Sequence, residues 1–356
     1  MISMLIAAAV SFVFTVSLLP PAIRQLGKRD IGQFINQDVE GHDHKHGTPT
    51  MGGIVIVLGV IVGYFVSHIS PFTAGEGFGL SWLNPTSGGL LVLFAMVGMA
   101  VIGLLDDYSK VRAERNLGLN KRWKFGGQLL IAGLFAWGAV GAGVEPSISV
   151  VRSFGMAVPP ILFALWVLFM LSGFANAVNL TDGLDGLAAG SSALVFGAYT
   201  IITYWIFRNA DFYGTFMALD LSAVDIARVS AAIFAAALGF LWYNAAPAQI
   251  FMGDVGSQGL GGALAAVALL TNTALLVLII GGLFVWITAT VILQVFAYRV
   301  FGRRIFKMTP IHHAFELRGW PETLIVIRFW IIAALSVAVG IGLFYADFVI
   351  HSGGVL

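Results

Sequence analysis

Cysteine is absent from this 356-residue chain. Its absence excludes disulfides, thiolate metal sites and a cysteine nucleophile. Charge is also scarce. Asp, Glu, Lys and Arg make up 10% of the residues, where soluble domains carry about a quarter. The apolar runs show no strict alternation of polar and apolar residues, which weighs against a membrane β-barrel. The formal net charge of +1 points to no partner. No clear small-residue cleavage site follows the apolar stretch from Ile2 to Leu19, so that stretch is expected to stay as a first spanning helix.

What is abundant is apolar surface, at 58% of residues. No single water-soluble core absorbs so much, and the runs have the length of membrane-spanning helices. The expected fold is an all-α polytopic membrane protein, one integral domain over residues 1–356. Spans are expected near 2–20, 51–70, 87–105, 125–143, 158–177, 187–206, 229–246, 257–272, 274–298 and 326–347. The apolar run from 258 to 298 is too long for one helix and is divided at Thr271-Asn272-Thr273. Of the 19 Lys and Arg, all but Arg152, Arg208 and Arg228 then fall on one face. Positive charge is retained on the cytoplasmic side, so both termini are expected outside. Gly59 and Gly63 have helix-packing spacing, read as ordinary close packing. No internal repeat and no low-complexity segment stands out.

This topology gathers the polar motifs on the cytoplasmic face. They are HDHKHGTPTMGG (42–53), LLDDYSK (104–110), NAVNLTDGLDG (176–186), WYNAAPAQIFMGDVGS (242–257) and KMTPIHHAFELRGWPE (307–322). The acids assigned to the other face, Glu76, Glu145, Asp211, Asp220 and Asp225, follow no motif and read as solvated loop residues. Five carboxylates converge instead on the cytoplasmic side: Asp106, Asp107, Asp182, Asp185 and Asp254. Any one of them alone would pass as a loop charge or a helix cap. Five together, in a chain with so few charges, call for a cation. Hard oxygen ligands without sulfur favour Mg²⁺ or Mn²⁺. Lys45 lies in a polar stretch beside TPTMGG and is a candidate phosphate ligand, whereas Lys121, Arg122 and Lys124 read mainly as topology signals. His312 and His313 suit hydrogen bonding or proton handling better than joint chelation. An acidic metal site, phosphate-binding cations and a lipid-embedded scaffold suggest phosphoryl transfer to or from a lipid.

The same motifs closely resemble the polyprenyl-phosphate N-acetylhexosamine-1-phosphate transferases. TPTMGG and IHHAFE resemble the branch that handles phospho-MurNAc-pentapeptide. The resemblance runs from about residue 20 to 335. It implies transfer from UDP-MurNAc-pentapeptide to undecaprenyl phosphate, giving lipid I and UMP with Mg²⁺ as cofactor. It also implies ten helices, a cytoplasmic active site in the bacterial inner membrane, and a homodimer. By position, Asp254 matches the metal-binding aspartate and Asp106 and Asp107 the essential pair. Lys45 matches the lysine before TPT. Asn179, Asp182, Gly183 and Asp185 match a loop that helps hold the nucleotide, and Phe251 the aromatic that stacks on uracil. Asn244 and His312 match further active-site residues, with His313 beside the latter, and Gln294 a nucleoside-site glutamine. One departure is Ala314, where the family usually carries a third histidine; another is His46, where a different residue is expected. The rivals are a sister enzyme using UDP-GlcNAc and, from another class, a transporter. A transporter is disfavoured because its site is expected near the membrane midplane, in repeated halves.

Overall fold

The computed structural model describes residues 1–28, 47–73, 77–112, 118–152, 158–213 and 223–352. Lys45 and the histidines at 42, 44 and 46 lie outside the described residues, as do Glu76 and Asp220. The chain is a helical bundle: α1 (Ile2–Gly27), α2 (Gly53–Val66), α3 (Ser87–Arg112), α4 (Lys121–Gly141), α5 (Pro160–Thr181), α6 (Leu187–Arg208), α7 (Ala210–Tyr213), α8 (Ala223–Asn244), α9 (Gly253–Leu270), α10 (Val277–Ile280), α11 (Gly282–Phe301), α12 (Ile311–Glu316) and α13 (Glu322–His351). Seven of these, α1, α3, α5, α6, α8, α11 and α13, are long and apolar enough to cross a membrane. The other three expected spans coincide with α2, α4 and α9, which are shorter or more polar. The helix does break at Thr271 to Leu276 between α9 and α10. There the carbonyls of Val267 and Ala268 accept from the backbone N–H groups of Thr271 and Thr273, and the hydroxyls of the same two threonines add a second bond to each.

One element departs from the all-α expectation. Ile69–Thr73 (β1) and Gly77–Trp82 (β2) form an antiparallel hairpin between α2 and α3. The segment pairs its own backbone where no helix continues.

Helix α9 lies at the centre of the bundle. Every residue from Val255 to Leu270 is buried, which is the behaviour of a helix without a polar face. Its sequence, GDVGSQGLGGALAAVALL, is rich in small residues, so neighbouring backbones approach closely. At Gly103 of α3 the approach is extreme: a Cβ there would lie 2.2 Å from the carbonyl oxygen of Asp254. This contact joins the aspartate pair of α3 to the start of α9.

Asp225 corrects the reading of the outer acids. It is fully buried, not solvated. Its carboxylate accepts from Tyr64 Oη (2.7 Å), the Thr86 backbone N (2.9 Å) and Thr86 Oγ1 (2.8 Å). His68 Nε2 lies 2.8 Å away and Arg228 NH1 3.1 Å away. Arg228 also donates to Ser3 Oγ. The starts of α1, α3 and α8 and the end of α2 are thereby tied together at the end of the bundle opposite Asp106. A sequence without contacts gave no means of separating this acid from exposed Glu145 and Asp211.

The tightness at Gly103 is testable. Gly103→Val should overpack the junction of α3 and α9 and cost about 1–3 kcal/mol. The measurement is thermal unfolding in detergent, with Gly133→Val as the control, because nothing surrounds a Cβ at Gly133. Equal unfolding temperatures would show that the two backbones do not meet there.

Candidate active site

Three helices bring three carboxylates together. Asp106 and Asp107 lie in α3, which continues to Arg112 rather than stopping at the expected boundary near 105. That extra length places Lys110 one turn beyond Asp106, where an i,i+4 ion pair supports the helix. Asp254 sits in the first turn of α9, where the helix N-terminus favours negative charge. One oxygen from each of Asp106, Asp107 and Asp254 fits within 4.8 Å of the others. The third contributor is α5, whose Asn179 Nδ2 donates to Asp254 Oδ1 (2.8 Å) and to Ser257 Oγ (3.0 Å).

Backbone donors fix the pair. The Leu119 N–H donates to Asp106 Oδ1 (3.0 Å), and the Val255 N–H to Asp107 Oδ2 (3.1 Å). Gly253 is held at φ +72, and a Cβ there would lie 2.6 Å from Asp107 Oδ2. Both facts require glycine at this position. A cluster of carboxylate oxygens from two buried and one partly buried aspartate, with no sulfur or imidazole ligand in the group, is a donor set that fits Mg²⁺.

Two cations that the sequence reading did not assign to the site stand among these acids. Lys110 Nζ lies 2.7 Å from Asp106 Oδ2, 3.2 Å from Asp254 Oδ1 and 3.6 Å from Asp107 Oδ1. Lys124 Nζ lies 2.9 Å from Asp254 Oδ2 and 3.6 Å from Asp106 Oδ1. The i,i+4 spacing of Asp106 and Lys110 was a usable signal. For Lys124 no local signal existed, since α4 packs beside α3 only in three dimensions.

The remaining candidates surround this centre. Phe251 is partly exposed, and its backbone pairs with the TPTMGG segment: Phe251 N donates to Pro49 O (2.8 Å), and Gly52 N to Phe251 O (2.9 Å). The stretch after Lys45 is therefore docked beside Asp254. Asp185 and Asn244 tie loops. Asp185 Oδ2 accepts from the Ala248 N–H, its own N–H donates to Glu322 Oε1, and Asn244 bridges Gly186 N and Ile250 O. Gln294 likewise holds the backbone of Ile305 and Phe306.

His312 is fully buried, and neither ring nitrogen has a hydrogen-bond partner among the described residues. A Cβ at Gly183 would lie 2.4 Å from His312 Nε2, so this ring faces the Asp182 loop. Burial, then the neighbouring His313, keeps its pKa well below the usual value. His312 is accordingly neutral at pH 7, with one nitrogen able to donate and one to accept. His313 instead pairs with Glu316 (2.5 Å). Asp182 is partly buried, and its pKa rises to about 8. Enclosure is the main cause, followed by the negative charges of Asp254, Asp107 and Asp185.

The chain is thus a multi-helix scaffold, with seven helices long and apolar enough to cross a membrane, that carries a cluster of three aspartates at one end of the bundle. The glycosyl transferase family 4 profile matches residues 89–272, and a phospho-N-acetylmuramoyl-pentapeptide-transferase signature matches residues 45–57. Proteins named phospho-N-acetylmuramoyl-pentapeptide-transferase are similar along almost the whole length. The one from Frankia casuarinae is 47% identical, covering 98% of this chain and 99% of its own. The one from Streptomyces griseus is 45% identical (96% and 97%), and that from Clavibacter sepedonicus 42% (98% and 100%). The chain belongs to the phospho-N-acetylmuramoyl-pentapeptide-transferase family.

The raised pKa of Asp182 has a consequence for stability. The unfolded carboxyl ionises near 4, whereas the folded one keeps its proton until about 8. Its contribution is complete below pH 4 and lost as pH rises through 8. Thermal unfolding in chelator should therefore show Asp182→Asn declining less than the parent between pH 5 and 8. Parallel curves would show that Asp182 is ionised in the folded protein.

Proposed function

We propose that this protein transfers phospho-MurNAc-pentapeptide from UDP-MurNAc-pentapeptide to undecaprenyl phosphate, giving lipid I and UMP. The reading includes ten spans, both termini outside, a homodimer, and an active site on the cytoplasmic face of the bacterial inner membrane. The observation that carries the chemistry is the meeting of Asp106, Asp107 and Asp254, in a chain whose full-length relatives carry the transferase name.

The reaction joins two anions, so charge control dominates. Asp254, with Asp106 and Asp107, would hold Mg²⁺, which offsets repulsion between diphosphate and acceptor. A phosphate monoester has a second pKa near 6, so the lipid phosphate is already mostly dianionic and needs position more than activation. In our reading its oxygen attacks the sugar-side phosphorus directly. The new P–O bond forms as the bond to the UMP phosphate breaks, and UMP leaves with that electron pair. Asp106 or Asp107 positions the acceptor and takes any residual proton. Lys45 balances phosphate charge, and neutral His312 offers its free N–H to a phosphate oxygen. Phe251 stacks on uracil; Asn179, Asp182, Gly183 and Asp185 shape the nucleotide pocket. Asn244, Gln294 and His313 brace the loops beside it.

Radiolabelled UDP-MurNAc-pentapeptide and UDP-GlcNAc, each supplied with undecaprenyl phosphate, decide between donors. Labelled lipid should form from the first alone, and Asp254→Asn should remove nearly all turnover while leaving a folded protein. Lipid formed only from UDP-GlcNAc would assign the sister activity; no lipid product from either would reject the transferase reading.

Orientation has its own test, since the native chain lacks cysteine. Ser81→Cys should react with an impermeant thiol reagent on intact cells, and Ser109→Cys only after permeabilisation. The reverse pattern would invert the topology.

A further inference from the structure

We propose that Lys110 and Lys124 are resident counter-cations of the three-aspartate cluster, and that a divalent metal enters by displacing them. The inference rests on the metal site proposed above and concerns how that site is regulated. Its carrying observation is that a single ammonium, Lys110 Nζ, reaches an oxygen of each of the three carboxylates, at 2.7, 3.2 and 3.6 Å. It occupies the centre that a shared cation would take. Lys124 Nζ closes the same group from the other side, against Asp254 and Asp106.

Charge and space both make occupancy exclusive. Three carboxylates so close repel strongly unless a cation stands among them. With two ammonium groups the cluster carries about one net negative charge, so it is already close to neutral. A divalent ion added beside both lysines would make it positive. Mg²⁺ requires oxygens at about 2.0–2.1 Å, and an ammonium using the same oxygens blocks that approach. The lysines are suited to leaving: each side chain is partly exposed, at 32% and 22%, and each stem is flexible. Once displaced, they remain beside the site as cations for the phosphates of an incoming substrate.

The arrangement also explains why a group of acids that demands a metal packs well without one. Asp107 and Asp106 keep their backbone donors, and the lysines supply the missing charge. The two ligand sets are alternatives for one cluster.

The test uses full-length protein in detergent and Mn²⁺, whose free-ion electron paramagnetic resonance signal falls on binding. Lys110→Met and Lys124→Met should each bind Mn²⁺ more tightly, on the order of ten-fold, because a competing cation has gone. Lys121→Met is the control for general surface potential: Lys121 is exposed on the same helix as Lys124, and its variant should bind like the parent. Asp254→Asn should abolish the binding, which assigns the signal to this cluster. Thermal unfolding gives an independent reading. The lysine variants should melt below the parent in chelator and level with it in saturating Mn²⁺, whereas a purely structural lysine would lower both temperatures. Where a methionine variant does not fold, Lys110→Gln and Lys124→Gln carry the same comparison. Mn²⁺ binding by the parent with equal or weaker binding by the lysine variants overturns the displacement. No Mn²⁺ binding by the parent or by any variant overturns the metal-site reading, and the displacement with it.

Discussion

The structure depends on concentrated negative charge where little water can screen it. Asp106, Asp107 and Asp254 are drawn together by a tight helix contact at the site, Gly103 against the Asp254 carbonyl. Electrostatics alone would force them apart. What keeps them together is a set of donors: the Leu119 and Val255 N–H groups, the Asn179 and Gln258 amides, Lys110 and Lys124. The loops continue this logic outward, with Asp185, Asn244, Glu322 and Gln294 each tying a backbone group. The arrangement is rigid at its base and carries flexible cations at its mouth.

Much of this was legible in the sequence, for a reason of scarcity. In a chain with 10% charged residues, an acid without a basic neighbour stands out. The pattern of Lys and Arg gathered the motifs on one face, and with them Asp106, Asp107, Asp182, Asp185 and Asp254. The division at Thr271-Asn272-Thr273 followed from run length, and the helix does break there. What could not be read was pairing across helices. Lys124 looked like a topology signal because its partners are distant in sequence: Asp254 lies 130 residues away. Asp225 looked solvated because Tyr64, His68 and Thr86 come from other elements. Helix α3 runs beyond the expected span end at 105 as far as Arg112, because Asp106 and Lys110 pair along it, and an apolar run shows only the span, not the helix.

The two ends of the bundle treat buried charge in opposite ways. Around Asp225 the partners are complete: a tyrosine, a threonine with its backbone N–H, a histidine and an arginine all face one carboxylate. That end is closed, and its polar groups serve cohesion. Around Asp254 three acids crowd together, and two partly exposed ammonium groups, rather than fixed neutral donors alone, offset their charge. His312, facing Gly183, has no partner for either ring nitrogen among the described residues. An unfinished set of partners leaves room for a ligand, and a finished one does not.

The central position of α9 bears on how the chain assembles during synthesis. With glycine, serine, glutamine and aspartate in its first turns, α9 is a poor candidate to enter lipid alone. It also has no surface left for lipid, because every residue after Asp254 is covered by protein. Its slot is built by α3 and α5, both of which emerge from the ribosome earlier. The order of the segments along the chain therefore lets the receiving groove form first, and the least lipid-compatible helix arrives to a site already made for it.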